Sequence, residues 1–313
     1  MASRCVRVLN GCFLAPLIVL ASSLFGGGQA WGWPDFPIPS GRSIQILNWG
    51  NLLRVYRVYR PPGLTGAAPL VVMLHGGFGD GAQAERDYYW NTMADTGRFV
   101  VAYPDGFLRA WNAGTCCGVP QRVYTDDVGF ITTMVASIAG RIPIDTARVY
   151  ATGMSNGAMM ALRLGCQTNM FAAIAPVAGT LVTDCSGARP TSVLQIHGTA
   201  DENVPYNGGP GSQRSLNGAP RVNGPSVPSV NATWRSIDAC APPTSTTDGV
   251  VTTETAGCAD GRVVELISIA GAGHQWPGGK SKPLVDKLIG LPEPSTALAA
   301  TPTIWTFFSQ HSQ

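Results

Sequence analysis

A serine between two glycines is the first feature of the chain that indicates chemistry. Ser155 lies in the pentapeptide Gly-Met-Ser-Asn-Gly (153–157), after a predicted strand (148–153) and before a predicted helix (156–164). The two flanking glycines allow a sharp, strained turn from strand to helix, which lifts the serine hydroxyl above the sheet beside a helix N-terminus. This context predicts Ser155 as a nucleophile.

A serine hydroxyl is a poor nucleophile until a base removes its proton, so a histidine must reach it. The chain has four histidines. His311 lies in a C-terminal tail that we expect to fray, and His75 and His197 end predicted strands, where stabilising a turn is the simpler role. His274 lies in a glycine-flanked loop just past the last predicted strand. We predict His274 as the base, the alternative being an ordinary surface histidine.

The third member of such a set is a carboxylate that orients the histidine and stabilises its charged form. In sheets with this kind of turn, the acid lies between the serine and the histidine along the chain. Asp201 follows the predicted strand 192–197 and fits this order, whereas Asp184 precedes that strand and Glu202 requires a register shift. We predict Asp201 as the acid, the alternative being a carboxylate that only caps a turn.

Acyl transfer by a serine places negative charge on the former carbonyl oxygen, and backbone N–H groups aimed at that oxygen stabilise it. The amide of Asn156, directly after the serine, is one candidate donor. The amide of Gly77 is the other, because it lies in the turn after the predicted strand 69–75. The glycine at this position is also explained by a tight turn alone, and both interpretations can hold together.

Two tryptophans are candidate walls for an apolar acyl or aromatic group. Trp276 lies two residues after His274, and Trp111 lies in a Trp-Asn-Ala-Gly segment. Aromatic side chains are found more often in a core than on a binding surface, so a core position is the alternative for both. The pair Asp126 and Asp127 begins a predicted helix, where carboxylates most simply stabilise the helix N-terminus.

The elements that must position these residues follow from short apolar runs rich in Val, Ile and Tyr. The predicted strands are 54–59, 69–75, 99–103, 148–153, 172–177, 192–197 and 263–269. Segments with helical spacing, such as 127–139 and 156–164, lie between several of them. This alternation predicts an α/β fold with a mainly parallel central sheet flanked by helices, in one domain. We expect a final helix at 301–309 and a long surface excursion at 206–229, which is dense in Gly, Pro, Asn and Ser.

Composition supports one globular catalytic domain, 31–313, after an N-terminal signal peptide, 1–30. The chain is 45% hydrophobic and 13% charged, with a formal net charge of +2 and no basic stripe, so we expect no nucleic-acid partner. Arg4 and Arg7 precede an apolar run that is too short to span a bilayer and ends in small residues. Cys12 precedes that run, which argues against lipid attachment. We expect a secreted or periplasmic monomer without a membrane anchor.

Six cysteines follow residue 30, an even number that indicates disulfides in an exported protein. Cys240 and Cys258 bracket a Thr-rich loop, and Cys166 and Cys185 bracket an apolar run. Cys116 and Cys117 are adjacent and could form a vicinal bridge, stay reduced or pair elsewhere, so connectivity stays open. No CxxC or HxxxH spacing supports a zinc site, so we expect no metal.

With these residues in view, the chain resembles the extracellular poly(3-hydroxybutyrate) depolymerase and feruloyl esterase family, close to carbohydrate esterase family one. The motifs that carry the resemblance are LHGG (74–77), VAYPDG (101–106), WNAGTCCG (111–118), DDVGFI (126–131), GMSNGAMMA (153–161), FAAIAPVAG (171–179), HGTADENVPY (197–206) and GHQWPGG (273–279). The resemblance implies an α/β-hydrolase fold, no cofactor, and the same triad of Ser155, Asp201 and His274. Some depolymerases of this kind have a cysteine where this chain has Gly77, and many polymer-degrading members carry a separate polyester-binding domain, which we do not expect here.

These inferences predict a serine ester hydrolase that acts through an acyl-enzyme, with polyester or hydroxyalkanoate oligomer esters as its substrates. Feruloyl or acetylxylan ester hydrolysis on plant polysaccharide, or aryl-polyester hydrolysis, is the alternative. A non-enzymatic alternative is a polymer- or sugar-binding protein of the same fold that lacks catalytic activity. A serine peptidase is disfavoured because no propeller-like region restricts peptide entry.

Overall fold

The computed structural model describes residues 37–215, 217–281 and 292–313, which belong to one compact unit. The strands are β1 (Gly41–Trp49), β2 (Leu52–Arg60), β3 (Ala68–Leu74), β4 (Val100–Pro104), β5 (Ile144–Met154), β6 (Ala173–Val177), β7 (Ser192–Gly198), β8 (Gly209–Pro210), β9 (Asn223–Gly224), β10 (Thr244–Asp248), β11 (Val251–Gly257) and β12 (Val263–Ile269). The helices are α1 (Gly81–Asp87), α2 (Trp90–Gly97), α3 (Gly118–Arg122), α4 (Asp127–Ala139), α5 (Asn156–Gln167), α6 (Val227–Ile237) and α7 (Ala300–Ser309). The predicted signal peptide lies outside the described residues.

Ten of these strands form one sheet in the spatial order β1-β2-β4-β3-β5-β6-β7-β12-β11-β10. The six strands from β4 to β12 in this order pair in parallel. Antiparallel hairpins extend the sheet at both edges, β1 with β2 on one side and β10 with β11 on the other. The predicted mainly parallel sheet flanked by helices is therefore confirmed, and β8 and β9 form a separate two-stranded ladder.

The sequence of the central strand β3 is a continuous apolar run, and its position in the sheet explains this. Successive side chains of a strand point to opposite faces, and β3 is covered on both. Leu70 and Leu74 lie in the core cluster that also contains residues of α4, α5 and α6. Val71 and Met73 lie in the second cluster, with residues of α1, α2 and α7. Helices on both faces thus bury every side chain of the strand.

Two parts of the sheet were not predicted. Strand β1 alternates between half-buried and exposed side chains, because it lies at an edge of the sheet and only one face is covered. The segment between Cys240 and Cys258, which we expected to be a Thr-rich loop, forms the hairpin of β10 and β11. All residues of β10 are exposed, so this hairpin lacks the apolar run by which the other strands were recognised.

The helices agree with the predictions where apolar residues recur at helical spacing over several turns. Helix α4 has the predicted bounds, α5 extends three residues beyond its predicted end, and α7 begins one residue early. Helix α6 begins within the predicted excursion, at Val227, where the Ser226 hydroxyl accepts a hydrogen bond from the Ser229 amide. The excursion therefore ends in a capped helix. Within the described residues, no helix is long and apolar enough to cross a bilayer.

Candidate active site

Ser155 lies at the junction of β5 and α5, with a backbone φ of 56°. Such an angle is strained for a residue with a side chain, and it occurs where the surrounding structure enforces it. The two flanking glycines explain how the turn closes. A Cβ on Gly153 would lie 2.5 Å from the carbonyl oxygen of Gly157, and a Cβ on Gly157 would lie 2.5 Å from the carbonyl oxygen of His75. Only glycine fits at either position.

His274 lies in the loop after β12 and reaches the serine. Its Nε2 is 2.8 Å from the Oγ of Ser155, and its Nδ1 is 2.7 Å from the Oδ2 of Asp201. An ionised carboxylate can only accept a hydrogen bond, so the proton is on Nδ1, and the Nδ1–H donates a hydrogen bond to Asp201. The Nε2 is then free to accept the hydrogen bond from the serine hydroxyl, which is the arrangement that a general base requires. The structure therefore brings the three predicted residues together.

Asp201 follows β7 and is 4% exposed. Its Oδ1 accepts hydrogen bonds from the amides of Asn203 and Val204, at 2.9 and 2.8 Å. Burial by itself raises the pKa of Asp201, but hydrogen bonds from His197 and His274 outweigh it and hold the pKa well below the ordinary value. The carboxylate therefore stays ionised opposite His274 at neutral pH.

The turn that contains Gly77 lies against the serine. A Cβ on Gly76 would be 3.6 Å from the Cβ of Ser155, and one on Gly77 would be 4.0 Å from the Cβ of Asn156. Among the described residues, the Gly77 amide has no hydrogen-bond partner. The Asn156 amide has none outside helix α5, which it begins. The two N–H groups are thus available beside the serine, as an oxyanion-binding pair must be.

His75 holds this turn in place. Its Nδ1 donates to the carbonyl of Gly76 at 2.7 Å, and its Nε2 accepts from the amide of Gly106 at 2.8 Å. Burial lowers the pKa of His75 below 6.5, with smaller opposing effects from the Gly76 carbonyl and nearby carboxylates. A neutral imidazole matches its one donor and one acceptor bond. The structural role that the sequence favoured for His75 agrees with this geometry.

Trp111 is fully buried, so it has no exposed surface to form a wall for substrate, and that interpretation is corrected. Its indole N–H donates to the carbonyl of His75 at 2.9 Å. Its backbone is held by the side chain of Asn156, whose Oδ1 accepts from the Trp111 amide at 2.7 Å and whose Nδ2 donates to the Trp111 carbonyl at 3.0 Å. Trp111 therefore fixes the turn beside the serine from inside the core.

Trp276 is likewise buried, 2% exposed, and its interpretation as a substrate contact is corrected too. Its ring stacks on Tyr88 with centroids 4.7 Å apart, and its Nε1 donates to the Oγ1 of Thr301 at 3.1 Å. Thr301 belongs to α7, so these contacts anchor the loop that carries His274 to the helices behind the sheet. The aromatic residue beside the base positions it rather than forming a pocket wall.

The remaining histidines and rival acids lie elsewhere. His197 is buried, and its Nε2 lies 2.8 Å from the Val204 carbonyl and 3.4 Å from Asp201. His311 is 8% exposed and its carbonyl accepts from the Tyr150 hydroxyl, so the expectation of a frayed tail was wrong. Glu202 and Asp184 are exposed, and no hydrogen bond joins either side chain to a histidine among the described residues.

A cleft of about 540 Å³ adjoins the Gly77 turn. Gly77, Phe78 and Leu108 line it on one side, and Cys117 lines it as well. The predicted excursion contributes Ser215, Asn217, Pro220 and Arg221, so this long loop forms part of the cleft. The sequence predicted the loop but not its contact with the cleft, because no motif in it marks where it packs.

Three disulfides join the six cysteines: Cys116 with Cys117, Cys166 with Cys185, and Cys240 with Cys258. The first is a vicinal bridge beside the cleft. The second ties the end of α5 to the segment before β7, and the third closes the hairpin of β10 and β11. Among the described residues, no group of three or more His, Cys, Asp or Glu side chains is arranged to hold a metal ion.

The model of the family described as Esterase PHB depolymerase matches residues 54–233. NocK of Nocardia uniformis subsp. tsuyamanensis, which carries an esterase name, is 34% identical over 248 residues, 72% of this chain and 71% of NocK. Feruloyl esterase B of Piromyces equi is 32% identical over 234 residues, 70% of this chain and 42% of that protein. The chain therefore spans less than half of the second relative.

Among solved structures, an acetyl xylan esterase from Aspergillus awamori superposes on 74% of this chain and 94% of its own, with a TM-score of 0.55. The two are 18% identical, so this likeness concerns the fold alone. Together with the order and direction of the strands, it confirms the predicted α/β-hydrolase fold.

Proposed function

Because the chain belongs to the Esterase PHB depolymerase family and is a carboxylic ester hydrolase, we propose that it cleaves its substrates through an acyl-enzyme on Ser155. One observation carries this proposal: an unbroken line of hydrogen bonds runs from Ser155 Oγ through His274 to Asp201. No other histidine has this contact with a serine hydroxyl among the described residues. Binding alone does not require this arrangement, whereas nucleophilic catalysis does.

In the proposed reaction, Ser155 Oγ attacks the ester carbonyl carbon while His274 Nε2 takes its proton. The carbonyl oxygen becomes an oxyanion that accepts from the amides of Gly77 and Asn156, and one such donor contributes about 3 kcal/mol to the transition state. As the intermediate collapses, His274 gives its proton to the departing alcohol oxygen and the acyl group stays on Ser155. Water then attacks the acyl-enzyme, His274 takes the water proton, and the acid is released as the serine is reprotonated.

The proposed substrates are polyester or hydroxyalkanoate oligomer esters, which the description of the family supports. The runner-up is a feruloyl or acetyl ester on plant polysaccharide, supported by the name of the Piromyces equi relative. The cleft beside the Gly77 turn, about 540 Å³, has the volume of a small-molecule site. Aryl polyesters are a further candidate on the same grounds.

We also propose that the chain is exported and acts as a monomer, with residues 1–30 as its signal peptide and 31–313 as the catalytic domain. Three disulfides support the export, because disulfides persist in oxidising compartments and are rare in the cytosol. The N-terminal sequence, with two arginines before a short apolar run, supports it independently.

Two measurements test the function. A fluorophosphonate probe should label the wild-type protein once per chain, with the label on the peptide that contains Ser155; a folded protein that takes no label would refute the acyl-enzyme. A release screen then compares 3-hydroxybutyrate oligomers, methyl ferulate, acetylated xylan and an aryl polyester. Faster release from the hydroxybutyrate oligomers is the expected result, and faster release of ferulate or acetate would support the runner-up instead.

A further inference from the structure

The cleft beside the Gly77 turn carries an excess of positive charge. Three of its lining residues are arginines, Arg109, Arg122 and Arg221, and its described lining residues include no Asp or Glu. The whole chain is close to neutral, with 21 basic and 19 acidic residues. Three arginines on one cleft therefore represent a local accumulation of charge rather than the general character of the surface.

Two of these arginines have no carboxylate partner among the described residues. Arg109 is paired, because its guanidinium lies 3.2 Å from Asp80 and its Nε donates to the carbonyl of Phe78. The Arg221 side chain donates to the carbonyl of Arg214, and the Arg122 guanidinium has no hydrogen-bond or ion-pair partner among the described residues. Two cationic groups are thus available to a ligand in the cleft.

Arg221 is held in position over the cleft. Its guanidinium carbon lies 4.8 Å above the ring centre of Phe78, within the range of a cation–π contact. Phe78 belongs to the turn that carries Gly77, whereas Arg221 belongs to the long excursion. This contact therefore places a guanidinium at the wall next to the proposed oxyanion site. Its planar donors can bind a carboxylate through two parallel hydrogen bonds.

The rest of the cleft is apolar or neutral. Phe78 and Leu108 are each 64% exposed, and Val119 also lines the cleft. A ligand that fits this surface has a short apolar body and an anionic group. A neutral ester would contact the apolar wall and leave the arginines without a partner.

We infer that this cleft recognises a carboxylate on the substrate, close to the ester bond that Ser155 attacks. The inference rests on the proposed function and names its substrate class: short hydroxyacid oligomers with a free acid end. Arg122 and Arg221 bind the terminal carboxylate, and Phe78 and Leu108 contact the aliphatic repeat. The enzyme then removes units near the acid end of an oligomer in preference to cutting inside a neutral chain.

The test compares two substrates that differ only in charge, the linear 3-hydroxybutyrate trimer as its free acid and as its terminal carboxamide. The wild-type protein should hydrolyse the acid with a kcat/KM about tenfold higher, the ratio expected for one charge-assisted hydrogen bond. The ratio should fall towards one in concentrated salt, because the arginines are partly exposed and are screened. A second pair, acetylated glucuronic acid and acetylated glucose, determines whether a carboxylate on a sugar is recognised as well.

Arg122→Gln and Arg221→Gln should each lower the acid-to-carboxamide ratio, and the double variant should bring it close to one. Arg189→Gln removes an exposed arginine that does not line the cleft and should keep the wild-type ratio. Equal hydrolysis of acid and carboxamide by the wild-type protein would overturn the inference and leave the proposed function intact. A ratio unchanged in the double variant would overturn it as well. No hydrolysis of any ester would refute the proposed function, and the inference with it.

Discussion

Arg54 and Asp127 form an ion pair inside the protein, 2.7 Å apart, with side chains 3% and 0% exposed. The other carboxylate oxygen of Asp127 accepts from the Asn112 amide and the Thr125 hydroxyl, at 2.8 and 3.0 Å. The Arg54 guanidinium also lies 3.9 Å from the ring centre of Phe130. Asp127 therefore ties β2 and α4 to the segment that follows Trp111, instead of only stabilising a helix N-terminus.

Asp127→Asn should destabilise the protein strongly, because it leaves the Arg54 charge buried without a counter-ion. The expected loss in the free energy of unfolding is about 3–5 kcal/mol, measured by urea denaturation. Asp145→Asn is the matched control, since its pair with Arg148 is partly exposed and its loss should stay below about 1 kcal/mol. Similar losses in the two variants would contradict the role assigned to Asp127.

Asp238 predicts a pH dependence of stability. Burial raises its pKa from 3.8 to about 6, against the opposing effects of the Thr191 amide and Arg262. The folded protein thus holds this proton more tightly than the unfolded chain, so the free energy of unfolding falls as pH rises from about 4 to about 6. Between pH 3.5 and pH 7, the free energy of unfolding of the wild type should fall by about 3 kcal/mol relative to that of Asp238→Asn.

Urea titrations at a series of pH values test this difference, since the contributions of the other ionisable groups cancel between the two proteins. Asp260→Asn serves as the control because Asp260 also pairs with Arg262 but its side chain is 82% exposed. Its stability should follow the wild type over the same range. Parallel pH profiles for the wild type and Asp238→Asn would show that burial does not perturb Asp238.

The disulfide between Cys240 and Cys258 should stabilise the protein without taking part in catalysis. It closes a loop with a sequence separation of 18, for which the chain-entropy model gives about 3 kcal/mol. The double variant Cys240→Ala, Cys258→Ala should lose about this amount in thermal denaturation. It should keep its ester hydrolysis while folded, because the hairpin lies at the sheet edge away from Ser155. Loss of activity in the folded variant would contradict this separation.

Asp201→Asn should reduce kcat while leaving the fold intact. The Asn203 and Val204 amides keep the side-chain oxygen facing them, so the new NH₂ group faces His274. His274 then carries its proton on Nε2 and can no longer accept one from Ser155. We expect a loss of about 10³–10⁴ in kcat for p-nitrophenyl butyrate. Glu202→Gln changes the neighbouring exposed carboxylate and should keep nearly full activity. If Glu202→Gln lost activity and Asp201→Asn kept it, Glu202 would be the acid of the triad.

The sequence was sufficient for the architecture and for the family, both of which are confirmed. The buried parallel strands were recognisable because β3 and its neighbours are apolar on both faces. The hairpin of β10 and β11 was not, since its exposed threonines carry no apolar period. Edge strands are defined by their pairing with the sheet, which a local pattern does not contain.

The same distinction applies to the site. The turn at Ser155 and the position of His274 follow from local motifs, and the structure brings their side chains to hydrogen-bonding distance. Trp111 and Trp276 were interpreted from their position beside such motifs, yet both point into the core. The cleft arginines were missed because Arg109, Arg122 and Arg221 come from three separate segments. Their proximity depends on how loops pack, and no spacing in the sequence records it.

The central claim is that the Ser155 hydroxyl, activated by His274, attacks the ester. The most direct measurement is the hydrolysis of p-nitrophenyl butyrate by Ser155→Ala, with near-ultraviolet circular dichroism to establish that the variant is folded. The account predicts a wild-type spectrum and a kcat at least ~10⁴-fold lower. A folded variant that hydrolyses the ester at a rate close to that of the wild type would contradict it.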